Sequence, residues 1–292
     1  MKLLIFGYGF TSKALAHALP DTWQITATTR TPEKAALMQG AKPRLFPGDD
    51  LSRDIAEATH ILISAGPDAA GDPVLAAYRD AFVSAKPDWV GYLSTTGVYG
   101  DHQGGWVTEE TPLVPSTKRG EARVAAEGAW MDLHRNHGLP VHIFRLAGIY
   151  GPGRGPFSKV RNGTARRIIK EGQVFSRTHV DDIAQVLMAS IARPNPGAAY
   201  NVCDDDPAPP QDVIAHAAKL LDLPIPEAIP FKDADMTPMG RSFYAESKRV
   251  DNTRIKEELG VNLLYPDYRS GLAALLSAEH DVYRSRCPDT SV

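Results

Sequence analysis

Residues 2–12 read Lys2-Leu3-Leu4-Ile5-Phe6-Gly7-Tyr8-Gly9-Phe10-Thr11-Ser12, and this stretch decides the fold. The apolar run suits a strand buried on both faces of a parallel sheet. It ends in two glycines spaced by one residue, just before a helical pattern over 11–19 that Pro20 stops. Gly7 permits the tight turn, and Gly9 lets backbone approach a pyrophosphate, whose charge the helix N-terminus favours. Ser12 takes the third position of the pattern and is still small enough for close helix–strand contact.

Working outward, the β-branched stretch 24–29 forms the next strand, and Thr31-Pro32-Glu33 opens a second helix with proline in its first turn. Stretches 44–46, 61–64, 90–94 and 141–146 have the character of further strands. The helix between the last two is long, with Ser116 or Thr117 as its cap and Val124, Gly128 and Met131 on a small or apolar face. Strands alternating with helices predict an α/β fold, a doubly wound parallel Rossmann sheet. After Tyr150 the character changes. A loop at 151–156, a strand at 199–202, helices over 182–191, 213–221, 252–259 and 269–278, and many prolines up to Pro238 suggest a small C-terminal substrate cap. We expect residues 1–150 to form the dinucleotide-binding domain, with 177–203 returning to its sheet. Residues 151–176 and 204–292 are expected to form the cap.

The 292 residues are 43% hydrophobic and 23% charged, an ordinary globular balance that excludes a disordered chain. With 32 basic and 35 acidic residues the net charge is -3, so nothing draws the whole molecule to nucleic acid or an anionic membrane. No run approaches the roughly 18 apolar residues that span a bilayer; mean hydropathy is -0.26. Met1 to Phe6 is too short for a secretory signal. Cys203 and Cys287 are too few for a disulfide framework or a structural zinc site, so no metal is expected. The expectation is a soluble cytoplasmic protein whose partner is a small molecule.

Sheets of this kind that take NAD(H) usually carry an acid at the end of the second strand, placed to bind the ribose 2′-hydroxyl. Here that strand ends Thr28-Thr29-Arg30, and the next carboxylate is Glu33. A guanidinium matches a 2′-phosphate bidentately. Arg30 therefore points to NADP(H) over NAD(H).

Four further segments follow in order: Ser94-Thr95-Thr96-Gly97-Val98-Tyr99-Gly100, Arg145-Leu146-Ala147-Gly148-Ile149-Tyr150-Gly151-Pro152-Gly153, Arg177-Thr178-His179-Val180-Asp181-Asp182-Ile183-Ala184, and Tyr200-Asn201-Val202. Together with the glycine turn they resemble the extended short-chain dehydrogenase/reductase superfamily, of the NAD-dependent epimerase/dehydratase type, over nearly the whole chain. The resemblance implies redox chemistry or epimerisation on a small polar, nucleotide-sugar-like substrate. It implies a cofactor surface of Gly7, Gly9, Phe10, Thr11, Ser12 and Arg30, extended by Asp50, Ser64, Ala65 and Gly66. It also implies a homodimer paired through helices flanking the site.

One motif departs. The family's Tyr-x-x-x-Lys pair and the glutamate after it are met by Arg119-Gly120-Glu121-Ala122-Arg123-Val124-Ala125-Ala126-Glu127, with arginine at both positions. In the family the lysine holds the ribose and lowers the tyrosine pKa, so that the phenol exchanges a proton with substrate. Arginine has no usable neutral form. Arg123 remains suited to gripping the nicotinamide ribose or a phosphate, and Arg119, one turn earlier on the same face, to clamping an anion. Thr95 takes the place of the family's catalytic Ser/Thr, or else is a strand threonine at the sheet edge. Tyr150 offers a replacement phenol, or else packs in its turn. His179 has a pKa suited to proton transfer, yet in the family its segment joins the two domains. His102 lies in the glycine-rich loop 101–106, a cover over substrate or a mobile surface loop. Cys203 has no metal or nucleophile context. Two functions stay open: an enzyme with an altered acid/base set, and a catalytically silent NADP(H)-binding sensor or scaffold.

Overall fold

The computed structural model describes residues 1–286; Cys287 and the remainder of the expected cap, 288–292, lie outside them. Seven strands lie parallel, in the spatial order Lys42–Leu45, Gln24–Thr29, Lys2–Phe6, His60–Ile63, Trp89–Thr95, Val141–Leu146 and Ala199–Val202. The chain builds outward from Lys2–Phe6 in one direction and then, from His60–Ile63, in the other. A crevice therefore opens at the carboxyl ends of those two adjacent strands, where sheets of this type bind ligands.

Alternation along each strand sends side chains to opposite faces. Leu3 and Ile5 are buried with Leu15, Ile183 and Val186, beneath helices Phe10–Ala18 and Val180–Ala192. Leu4 and Phe6 are buried with Val74, Phe82, Trp130 and Leu133, beneath helices Pro73–Ser84 and Lys118–His137. Both faces are covered, which is why the buried positions of the first strand, Leu3 to Phe6, are all apolar. The long helix takes Thr117 as its cap, the Oγ1 accepting from the Gly120 amide at 3.1 Å. Ser116 donates instead to Glu246.

The quoted segments converge inside the molecule. Arg145 donates from Nη2 to Glu127 at 2.9 Å and from Nη1 to the Tyr99 hydroxyl at 2.9 Å. Tyr99 in turn donates to Asn201 Oδ1 at 2.7 Å. Arginine from the sixth strand, glutamate from the long helix, tyrosine after the fifth strand and asparagine from the seventh thus satisfy one another out of water, as buried polar groups must.

Tyr150, Phe157, Val213, Tyr268 and Leu272 form a separate apolar cluster. It joins helices Phe157–Arg161, Pro210–Leu220 and Tyr268–Arg286 into a cap. Helix Thr253–Glu257, expected in that cap, sits elsewhere. Ile255, Leu259 and Val261 are buried with the sheet core, because they cover Tyr200 on the edge strand. Its hydroxyl donates to Glu258 at 3.0 Å.

Candidate active site

The crevice begins where the first strand runs into Gly7, with φ +95°, a conformation that disfavours any side chain. A Cβ on Gly7 would also sit 3.1 Å from the Ala65 amide nitrogen, at the end of the fourth strand. The turn is locked from both sides. Gly7 N–H donates to Thr28 Oγ1 at 2.9 Å, and the Ser12 hydroxyl donates to the Gly7 carbonyl at 2.8 Å. Gly9 then caps helix Phe10–Ala18 with no side-chain bond to its first turn, so the leading amides of Phe10, Thr11 and Ser12 remain available to an anion. A Cβ on Gly9 would meet nothing within 4 Å, so this side of the turn is open.

Arg30, at the end of the second strand, is exposed. Asp50 is already engaged: its Oδ1 accepts from the Ser52 amide at 3.0 Å and the Ser52 hydroxyl at 2.7 Å. Those bonds hold its carboxyl below the usual range.

Between the sheet and the cap lies a cleft of about 850 Å³ that brings together Thr11, Ser64, Thr95, Arg119, Arg123 and Tyr150. Arg123 is wedged between two strand ends. Its Nη1 donates to the Leu93 carbonyl at 2.6 Å and the Tyr92 hydroxyl at 3.2 Å. Its Nη2 lies 2.9 Å from where a Cβ on Gly66 would be, so any side chain at 66 would push the guanidinium aside. Thr95 Oγ1 accepts from the Gly97 amide at 3.2 Å, leaving its own proton for another acceptor. Arg119 is exposed and lies 5.7 Å from the Phe243 ring centroid. Tyr150 lines the cleft from the cap side. Its ring belongs to the cap cluster, and its hydroxyl packs against Gly271 with no hydrogen-bond partner among the described residues. Burial, with Asp204 nearby, pushes its pKa upward, so this phenol keeps its proton through the neutral range.

Three charged residues of the cleft carry no sequence motif that marks them. Arg154 sits on a turn closed by reciprocal Gly151 and Arg154 backbone bonds of 2.9 Å, and stacks 5.5 Å above Phe10 at the start of the first helix. The glycines and prolines around it announce a turn, but not its direction. Lys248 Nζ reaches Glu246 at 2.6 Å and the Gly100 carbonyl at 2.6 Å. This pair comes from a cap segment without periodicity. Loop 101–106 lies beside it and is pinned: His102 and Gly104 amides both donate to the Ser247 carbonyl, and Asp101 accepts from the Ser247 amide at 2.8 Å. His102 therefore braces the cap segment instead of covering the cleft.

His179 is buried at the start of its helix, with its ring 4.1 Å from Tyr265 and 5.1 Å from Tyr150. Burial lowers its pKa, and it stays outside the cleft lining. Cys203 is buried and donates to the Val250 carbonyl. Among the described residues no cluster of side chains has the makings of a metal site, and no helix is long and apolar enough to cross a membrane.

Residues 73–203 match the NAD dependent epimerase/dehydratase family. Protein YeeZ of Escherichia coli K12 is 32% identical over 285 residues, which cover 91% of this chain and 97% of that protein. The chain belongs to the NAD-dependent epimerase/dehydratase family. A functionally unknown conserved protein from Silicibacter pomeroyi DSS superposes with a TM-score of 0.90 at 58% identity, covering 95% of this chain and 99% of that one. UDP-glucuronic acid 4-epimerase from Bacillus cereus, solved with UDP-glucuronic acid and NAD, shares the fold at a TM-score of 0.78 and 19% identity, over 97% of this chain and 100% of that one. The epimerase/dehydratase cofactor is a nicotinamide dinucleotide, and the residues present fit one. The glycine cradle at Gly7 and Gly9 and the uncapped helix behind it suit a pyrophosphate.

Proposed function

We propose that the protein is an NADP(H)-dependent enzyme that acts on a small substrate in the cleft without a tyrosine–lysine relay. The observation that carries this reading is a single cleft in which an open phosphate turn meets two arginines at the relay positions. The nicotinamide, when bound, supplies hydride exchange. The chain's own residues do the rest. Gly7, Gly9 and the first helical amides hold phosphate, and Arg30 offers a bidentate partner for a 2′-phosphate. Arg123, fixed by Leu93 and Tyr92, presents its charge beside Gly66 for a ribose hydroxyl. Thr95 can donate to a substrate oxygen, and Arg119 can neutralise charge there, but neither arginine can move a proton. Acid/base work falls to Thr95, to a group on the substrate or to water.

The loss of the relay also supports a second reading, a silent sensor that reports NADP(H) occupancy. A comparison of the parent with an Arg119→Tyr/Arg123→Lys double variant separates the two. We expect the NADPH-loaded parent to reduce at least one member of a panel of aldehydes, ketones and nucleotide sugars, followed as loss of nicotinamide absorbance. Transfer by the double variant alone, or by neither protein while cofactor binding persists, would favour the sensor.

A further inference from the structure

Four guanidiniums line the cleft with no carboxylate ion-pair partner among the described residues: Arg119, Arg123, Arg154 and Arg177. The one acid in the described lining, Glu246, is held by Lys248 and Ser116. Their positions divide the work. Arg154 stands over Phe10, at the cofactor end, and Arg123 is spent on Leu93 and Tyr92. Neither Arg119 nor Arg154 makes a side-chain polar contact among the described residues, but of the two only Arg119 lies away from the cofactor end, where it stacks on Phe243, a large apolar side chain left 55% exposed. The cap side of the cleft continues this apolar character through Phe175, Val213, Tyr268 and Leu272, the last three belonging to the cap's own core. Arg177 lies among them, but its Nη1 is shared between the Phe175 and Ala208 carbonyls at 2.8 and 3.0 Å.

We propose that the cleft selects an amphipathic carboxylate, with its anionic head on Arg119 and an aryl or other flat apolar body against Phe243 and the cap wall. The inference rests on the cleft being the substrate site of an NADP(H)-dependent enzyme, and it replaces the nucleotide-sugar expectation. A sugar ring carries hydroxyls around its rim, and each one buried against this wall without a partner loses its bonds to water. An apolar body gains from the same burial. An unpaired guanidinium at the mouth rewards an anion and discriminates against its neutral analogue.

The test is calorimetric titration of the NADPH-saturated protein with 3-phenylpropanoate, its neutral amide 3-phenylpropanamide, and UDP-glucose. We expect the acid to bind about tenfold tighter than the amide, the gain of one charge-assisted contact. UDP-glucose should bind more weakly than the acid. Arg119→Gln should erase the preference for acid over amide, Arg119→Lys should retain part of it, and Phe243→Ala should weaken both aryl probes equally. Thermal melts establish that each variant is folded. Equal binding of acid and amide to the parent, tighter binding of UDP-glucose, or an acid preference that survives Arg119→Gln would overturn the proposal. A parent that fails to bind NADPH in the first step would instead overturn the cofactor reading beneath it.

Discussion

Gly9→Val folds and loses its cofactor. The backbone at Gly9 has φ -94°, outside the left-handed region, so a branched residue is tolerated there. Its Cβ enters open space. The only folding cost is a poorer helix cap, since valine ranks well below glycine at that position, on the order of 1 kcal/mol. The same side chain fills the ground a pyrophosphate needs and shields the amides of Phe10 and Thr11. Loss of several such contacts is worth about 3 kcal/mol or more, a hundredfold in Kd. Nicotinamide fluorescence titration and a thermal melt read the two effects separately. NADPH binding within tenfold of the parent would move the site elsewhere. Gly7→Ala makes the contrast: at φ +95° and with Ala65 close by, it damages the turn itself.

The second large effect concerns the scaffold. Glu127→Ala leaves Arg145, 7% exposed, as a buried cation whose carboxylate partner is gone. Breaking a pair of this kind costs roughly 3–5 kcal/mol, because the remaining charge stays desolvated. Urea denaturation should show the midpoint falling with little change in slope. A loss below about 1 kcal/mol would mean that water reaches Arg145 and that the network does not hold the fifth, sixth and seventh strands together. The pair Arg145→Met/Glu127→Leu should recover much of the loss, since apolar replacements of similar volume need no partner.

The parts of this structure that were legible in the sequence are those governed by neighbours along the chain. Leu3 to Phe6 announced a doubly covered strand, Gly7 and Gly9 a tight turn into a helix, and Ser116 or Thr117 a helix start, because each depends on local backbone chemistry. Arg119 and Arg123 could be placed one turn apart for the same reason. What stayed hidden depends on contacts across the chain. Arg154 reaches Phe10 only because the loop after the sixth strand folds back over the first helix. Glu246 and Lys248 reach the cleft because the Gly100 carbonyl and Ser116 hold them there. The sequence leaves Tyr150 open between a replacement phenol and a packing residue, and its side chain is drawn into the cap by Phe157, Tyr268 and Leu272. Ile255 and Leu259 follow Tyr200 to the sheet, although the chain around them belongs to the cap.

The proposed function requires that the glycine turn take NADPH in preference to NADH. Calorimetric titration of the unmodified protein with NADPH and then NADH tests it most directly, with Arg30→Ala titrated alongside. Arg30 is exposed just past the end of the second strand, the position from which sheets of this type contact the adenosine ribose. We predict that NADPH binds more tightly by about 1–3 kcal/mol, the worth of a hydrogen bond to a charged group. Arg30→Ala should bring the two affinities together by weakening NADPH alone. Equal affinities in the unmodified protein, or a preference for NADPH that survives Arg30→Ala, would contradict the assignment.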